Sequence, residues 1–584
     1  MKLNTSHYTK IILIGIIINL SIFPASFGQK KTEKLDELIN KYTEYGQFNG
    51  SVLIAEKGKV IYKKGFGQAN MEWDIPNQPN TKHRLGSITK QFTSMLIMQL
   101  VADGKLDLKA PISTYLPDYS KINGDKFTLH HLLTHTSGIP NYTNYPNFFQ
   151  DMSRDPFGPV EFTKFFADST LRFTPGEKFE YSNSGYFLLG VIIEKVTGKS
   201  YEQVLQENIF TPLEMKDTGY DLHAPILKNR AAGYEKNGSS YRNADYLDMS
   251  IPYAAGSMYS TVEDLYKWDQ ALYTEKLLPK KYLEMLFEKH IPDRGNYYGY
   301  GWGVGRMAIG TSTDSVKIVG HGGGINGFNT RITRLPADKT LIVLLNNTGG
   351  APLNGMTKAI AAILYNKPYA MPKQSLATTV LNEINDKGLD EGLTLFKKLK
   401  DDTNYELQEN EINWAGYQLL GSNKIKEAIA VFKLNVDEFP ESFNVYDSYG
   451  EALAKDGQKS LAIENYKKSI ELNPGNTNGI KMLKEMGVEV EETSYMVDEK
   501  ILASYVGTYE LVPGFSIEIT KDGNRLFAQA TGQGKNEIFA KSDTEFFLKV
   551  VAAQLVFKAG TDGKIETMTL FQNGQEVPGK RIEK

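Results

Sequence analysis

The chain contains no cysteine. That absence excludes disulfide scaffolds, thiolate metal sites, cysteine nucleophiles and lipidation on cysteine. An excess of charge of one sign is also missing. The 66 Lys and Arg stand against 69 Asp and Glu, a formal net charge of −3, which leaves no global electrostatic case for nucleic acid. Long apolar runs are scarce: one covers residues 11–23, and no second of that kind follows, so a polytopic membrane protein is excluded. What remains is 584 residues, 41% hydrophobic and 23% charged, the length of three or four domains of ordinary globular composition. Its chemistry has to use hydroxyls, imidazoles, carboxylates or amines.

The N-terminus reads as an address. Lys2 and Lys10 precede the apolar run, and Ala25-Ser26-Phe27-Gly28 follow it before Gln29. This is the layout of a secretory signal peptide over 1–28, cut after Gly28. The run of 13 residues, broken by Gly15, Asn19 and Ser21, is short for a bilayer span of about 20. The expected location is periplasmic or extracellular; the alternative is a membrane anchor formed by an uncleaved N-terminal segment. An exported chain without cysteine needs no oxidative folding.

Three further stretches differ in texture. Over 29–367, strand-like segments at 51–55, 60–62, 316–319, 330–334 and 340–345 alternate with helical runs such as 91–101 and 186–196, the latter stopped by Gly198. An N-terminal hairpin completed by late strands, with helices inserted between, predicts an α+β domain. The first helical run has amphipathic spacing. Over 375–490 the pattern is helical and repeats: a shift of 34 residues superposes Gly416 on Gly450, Leu419 on Leu453, Phe432 on Tyr466 and Pro440 on Pro474. This period resembles the tetratricopeptide repeat, a helical hairpin whose small residues let two helices pack closely. The competing reading is an ordinary pair of helical hairpins. A protein partner is expected through this segment. Over 498–584, period-two alternation is punctuated by Asp522-Gly523, Asp562-Gly563 and Asn573-Gly574, which favour tight hairpin turns and predict a small antiparallel sheet or barrel. That stretch carries no cluster of acid, base and nucleophile.

The sharpest chemical signal is Gly86-Ser87-Ile88-Thr89-Lys90 at the start of the first helical run. A serine opening a helix with lysine three residues later puts hydroxyl and amine on one face, in the positive potential of the helix terminus. Such a lysine accepts the serine proton only if its pKa falls from ~10.4. Alone, the pattern is equally a capping serine with a surface lysine. Tyr181-Ser182-Asn183 is a second weak signal: a tyrosine beside cationic neighbours can act as a phenolate base, and an asparagine amide can serve lysine and substrate. Its structural alternative is a buried loop tyrosine. The third signal, Gly320-His321-Gly322-Gly323-Gly324 after a strand, permits close backbone approach by a ligand, and a backbone N–H there can face an oxyanion. His321 adds an imidazole donor for a carboxylate or carbonyl. Here the alternative is a glycine-rich hairpin with an incidental histidine.

In this order, S-x-x-K, Y-x-N and H-x-G, the sequence resembles the serine β-lactamase and penicillin-binding-protein superfamily, in its class C-like group of D-aminopeptidases, peptidases and esterases. The stretches 131–139 (HLLTHTSGI) and 320–328 match that group's flanking segments. The resemblance implies a β-lactamase/transpeptidase-like domain with Ser87 as acylated nucleophile and Lys90 with Tyr181 as the proton-transfer pair. Asn183, His321 and Gly323 would position substrate, and the backbone N–H groups of Ser87 and Gly324 would form the oxyanion hole. His321 stands where β-lactamases proper usually have lysine; a mostly neutral side chain replaces a permanent cation. That departure points toward a peptidase, aminopeptidase or esterase. Residues 141–159 and 245–259 are expected to shape the acyl site. The small β domain over 498–584 is of a kind often appended to such hydrolases.

No cofactor is expected. His131 and His135 stand four apart, but no H-E-x-x-H pattern completes a metal site, and the resemblance accounts for the segment structurally. The expected function is a secreted serine hydrolase acting on a small peptide, amide or ester, cell-wall-type D-amino-acid peptides included. The competing functions are a true β-lactamase or penicillin-binding protein, and a repeat-mediated binding protein with a vestigial hydrolase fold.

Overall fold

The computed structural model describes residues 23–584 except 147, 238–239, 491–496, 513, 552, 561–562, 573–574 and 583–584. The leader expected over 1–28 therefore lies outside the described residues up to position 22; α1 (Phe23–Glu44) follows. No helix among the described residues is long and apolar enough to cross a membrane. The chain divides after Pro372 into two compact units.

In the first unit, β1 (Gly50–Glu56) and β2 (Lys59–Phe66) form the expected hairpin. Lys57 and Gly58 turn it at φ +53° and +73°. Helices α2 (Thr89–Ala102) and α3 (Asn183–Thr197) come next. Then follow β3 (Ile291–Asp293), β4 (Asn296–Tyr298), β5 (Gly303–Ala308), β6 (Ser315–Ile325), β7 (Phe328–Leu335) and β8 (Thr340–Asn346), and α4 (Leu353–Leu364). These strands form one sheet of order β3-β4-β5-β6-β7-β8-β1-β2. All its pairs are antiparallel.

The sheet is covered on both faces, and so β8 reads as the unbroken apolar run Leu341–Leu345 rather than as an alternation. Leu341, Val343 and Leu345 join α2 and α3 in one core; Ile342 and Leu344 join α1 and α4 in another. The amphipathic spacing of α2 is misleading. Thr89–Met98 are buried all round the helix, polar residues included. Each polar side chain meets an internal partner: Thr93 Oγ1 donates to the Ala254 carbonyl at 2.6 Å, and Gln91 Oε1 accepts from Trp268 Nε1 at 3.1 Å. Hydroxyls and amides spaced like a solvent face are here an internal network. Helix α3 ends at Gly198, which takes the left-handed conformation (φ +69°) expected of a terminating glycine.

The second unit is helical from Leu376 to Glu485 and then forms a closed eight-stranded barrel. Helices α5 (Glu409–Gly421) and α6 (Ile425–Glu438) form one hairpin, and α7 (Phe443–Lys455) and α8 (Lys459–Leu472) repeat it. A Cβ on Gly416 would fall 2.5 Å from the Phe432 ring, and one on Gly450 would fall 3.3 Å from Tyr466, so the repeated small–aromatic pair is a repeated helix contact.

Within the barrel, Gly523 turns at φ +57° between Phe515–Asp522 and Arg525–Ala530. Of the other two turn motifs, Asp562 and Asn573-Gly574 lie outside the described residues. Three strands, Gly507–Val512, Asn536–Ala540 and Gln575–Ile582, escape the sequence pattern. The last carries Pro578 and two cations, which weaken a strand signal; barrel closure supplies its partners on both sides.

Candidate active site

Ser87 sits in the 3-10 turn Gly86–Ile88 that runs directly into α2. Gly86 adopts φ +55°, and a Cβ there would lie 2.9 Å from Gly324 N, so only glycine lets the turn press against β6. Lys90, one turn along, is fully buried. Its Nζ lies 3.0 Å from Ser87 Oγ, 2.8 Å from Asn183 Oδ1 and 2.9 Å from the Ala255 carbonyl. Burial holds the lysine pKa far below its usual value, and no carboxylate is paired with it among the described residues. The spacing rule placed serine and lysine together; only the fold buries the amine and so lowers its pKa.

Tyr181 and Asn183 arrive from the loop that leads into α3. Asn183 N–H donates to Asn141 Oδ1 at 3.1 Å, and Ser182 N–H donates to His135 Nδ1 at 3.1 Å. The Tyr181 ring lies 4.8 Å from Lys90 Nζ, and its phenol interacts with Ser87. Burial raises the Tyr181 pKa; the Ser87 contact only partly opposes it. The phenolate expectation needed a lowered pKa; burial shifts Tyr181 the other way, toward the protonated phenol.

His135 belongs to the flanking segment and to the His131/His135 pair spaced as on one helix face. It stands at φ +58° beyond the short helix Leu129–Leu133, so it shares no helix face with His131. His131 instead caps that helix, its Nδ1 accepting from Thr128 N–H at 3.3 Å. The His135 ring packs 4.2 Å from Tyr181 and 4.8 Å from Tyr298. Burial holds the pKa of this imidazole well below its usual value. The only sequence signal was its place inside HTSG.

His321 lies on β6 with both ring nitrogens engaged: Nδ1 is 2.6 Å from the Gly322 carbonyl and Nε2 is 2.9 Å from Tyr298 Oη. A carbonyl only accepts, so Nδ1 carries the proton and Nε2 accepts from the phenol. Burial pushes the pKa down to about 4. The imidazole N–H expected to serve a carboxylate or carbonyl is here donated to the Gly322 carbonyl. Tyr298, which the sequence did not single out, completes this contact.

The glycines after His321 have separate tasks. A Cβ on Gly323 would fall 1.9 Å from the Leu85 carbonyl and 2.3 Å from Thr330 Oγ1, so Gly323 lets β6 seat against the serine turn. Ile325 and Phe328 close a two-residue turn, and hydrogen-bonded pairs alternate from there. Gly324↔Asn329 and Gly322↔Arg331 are then the non-hydrogen-bonded pairs, and the N–H groups of Gly322 and Gly324 face away from β7. Strand β5 pairs with β6 only as far as Gly303↔Gly320. The edge from His321 onward is consequently open beside Ser87, with Gly324 exposed.

A cleft of about 410 Å³ opens on Ser87, Asn183 and Gly324. Its apolar wall comes from Tyr142, Phe148, Phe149, Leu247, Ile251 and Phe328. Five of these belong to the two stretches expected to shape the acyl site.

An antiparallel sheet faced by a buried helix that carries serine and a buried lysine, beside an open glycine edge, defines a serine hydrolase of the β-lactamase-related class. The family model described as Beta-lactamase matches residues 35–366, and the chain belongs to that family. A second model, a domain of unknown function (DUF3471), matches residues 493–581. The chain is 25% identical over 577 residues to penicillin-binding protein 4* of Bacillus subtilis (strain 168), covering 95% of this chain and 100% of that one. It resembles the solved structure of a penicillin-binding protein from Bacillus halodurans (27% identity, TM-score 0.50, 56% of this chain and 98% of that one). It also resembles D-amino acid amidase from Ochrobactrum anthropi SV3 complexed with L-phenylalanine (26% identity, TM-score 0.50, 58% and 99%).

Proposed function

We propose that this chain hydrolyses amide, peptide or ester bonds through an acyl-enzyme on Ser87. The observation that carries the proposal is the arrangement around Lys90. A neutral amine has two N–H donors and one lone pair; Asn183 Oδ1 and the Ala255 carbonyl take the two donors, which leaves the lone pair for the Ser87 hydroxyl at 3.0 Å. Lys90 accepts the serine proton as Oγ attacks the substrate carbonyl. The N–H groups of Ser87 and Gly324 hold the resulting oxyanion. Collapse breaks the bond to the leaving group, which takes the Tyr181 phenolic proton while Tyr181 takes one from the Lys90 ammonium. Water then attacks the Oγ ester by the reverse path, giving the acid and free serine.

The open β6 edge supports binding of an extended acyl chain. Neutral His321 favours substrates that need no permanent cation, which supports peptidase, amidase or esterase activity. The likeness to D-amino acid amidase supports amides of D-amino acids in particular. The β-lactamase or penicillin-binding reading rests on the family and on relatives named for penicillin binding. A fluorophosphonate probe should label the chain, and Ser87→Ala should abolish the labelling; persistent label would overturn the nucleophile. Nitrocefin turned over repeatedly would favour a β-lactamase, and stable trapping a penicillin-binding protein. Export is part of the proposal, and N-terminal sequencing of the mature chain, expected to start at Gln29, tests it.

A further inference from the structure

His135 meets the Tyr181 loop on both sides of the tyrosine. Its carbonyl accepts from Glu180 N–H at 2.9 Å, and its ring Nδ1 accepts from Ser182 N–H at 3.1 Å. Tyr181 is thus the middle of a three-residue segment held at both ends by a single residue. A backbone N–H only donates, so Nδ1 is unprotonated and the ring proton sits on Nε2. The imidazole also lies against the Tyr181 ring, with centroids 4.2 Å and planes 32° apart. Tyr298 at 4.8 Å and Tyr186 at 5.0 Å pack on the same imidazole and fix its plane.

Holding the loop this way carries local costs. His135 is 1% exposed and stands at φ +58°, a left-handed conformation uncommon outside glycine. Its Nε2 is buried and has no hydrogen-bond partner among the described residues. Glycine would relieve the backbone, and a phenyl ring of similar shape would bury no orphan donor. Neither would answer Ser182 N–H.

The other groups around Ser87 have supports of their own. Ser87 and Lys90 share one turn of chain at the start of α2. Asn183 begins α3 and is anchored through its N–H to Asn141 Oδ1 at 3.1 Å. Tyr181 lies outside α3, and its neighbours on both sides are tied to His135. We infer that His135 is a positioning residue for the Tyr181 phenol, acting through its Nδ1 acceptor on Ser182 N–H. It governs how well the leaving group is protonated rather than how readily Ser87 attacks. The inference rests on the acyl-enzyme reading of Ser87 and extends it to a residue outside the three motifs.

The test uses the full chain with p-nitrophenyl acetate and phenyl acetate, which share an acyl group. Nitrophenolate departs unaided, whereas the more basic phenolate gains from a proton delivered as it leaves. His135→Phe keeps a ring and removes the acceptor. It should lower kcat/KM for phenyl acetate by about tenfold or more and for p-nitrophenyl acetate by about threefold or less. In a Tyr181→Phe background the same replacement should change the ratio of the two esters no further, because the group it positions is gone. His135→Asn tolerates the left-handed backbone and offers Oδ1 near the Nδ1 position, so it should recover most of the native ratio. Equal losses on both esters in His135→Phe, no loss on either, or an additive change in the double variant would overturn the inference. If thermal unfolding shows that His135→Phe does not fold, His135→Asn decides: a retained ratio supports the positioning role, and a ratio shifted as in Tyr181→Phe overturns it. Fluorophosphonate labelling is measured alongside. Labelling that Ser87→Ala abolishes, with no shift in the ester ratio, removes the His135 role alone; labelling that survives Ser87→Ala removes the acyl-enzyme reading and the His135 role with it.

Discussion

Lys90 Nζ donates to Asn183 Oδ1 at 2.8 Å across a sequence separation of 93 residues. That bond joins the buried helix α2 to the first residue of α3 and orients the amine toward Ser87.

Replacing the amide by a carboxylate, Asn183→Asp, should stabilise the Lys90 ammonium and raise its depressed pKa. In the proposed mechanism the base is the neutral amine, so the acid limb of the kcat/KM profile should move to higher pH and activity at neutral pH should fall. An unshifted limb would show that Lys90 is not the titrating base.

Gly323→Ala should be far more damaging than Gly322→Ala. The first places a Cβ 1.9 Å from the Leu85 carbonyl, whereas the second meets its nearest atom, the Thr330 carbonyl oxygen, at 3.7 Å. Moving β6 away from the serine turn misplaces the Gly324 donor, and loss of one such donor costs about 10²–10³ in kcat. Ester hydrolysis by both variants, at matched folded fraction, checks this.

Stability should fall on mild acidification. Burial lowers His83, His130 and His321 from 6.5 to about 4, led in each case by desolvation. The folded chain then binds fewer protons than the unfolded chain between those values. This contribution is fully present above about 6.5 and is lost as pH falls toward 4. His83 is fully buried, and at about 1.4 kcal/mol per pKa unit its share is about 3 kcal/mol. Urea midpoints measured from pH 7 to pH 4 should decline, less steeply in His83→Gln.

Asp269 and Arg334 are buried together, Nε donating to Oδ1 at 2.6 Å, with the guanidinium 4.6 Å from the Tyr273 ring. Asp269→Ala leaves a buried cation unpaired and should destabilise the first unit by about 3–5 kcal/mol. The double replacement Asp269→Leu with Arg334→Met should recover much of that loss in thermal unfolding.

Much of this was legible from local pattern. The β1–β2 hairpin, the turn-forming Gly58, the end of α3 at Gly198 and the 34-residue recurrence of a small residue against an aromatic one follow from backbone freedom and periodicity, which neighbouring residues impose on each other. Serine and lysine three apart on one helix turn meet because the helix repeats every 3.6 residues. The class of chemistry was likewise bounded by composition, since a chain without cysteine has hydroxyls as its obvious nucleophiles.

Protonation and long-range partnership were not legible. Whether Lys90 keeps an ordinary pKa on a surface or a lowered one in a core depends on α2 being packed on every side, and its amphipathic spacing pointed the other way. Tyr181 and His321 titrate as their burial dictates; the His321 proton is committed to the Gly322 carbonyl, and its other nitrogen is taken by Tyr298, a residue that no motif marked. His135 reaches Ser182 N–H only because the fold brings together two loops 47 positions apart. Sequence by itself determined the elements and the reactive side chains, because those rest on local backbone and periodic constraints. Tertiary structure alone decided which groups are desolvated, which donors are already taken and which loop one imidazole holds, because electrostatic energies depend on distance and burial rather than on order along the chain.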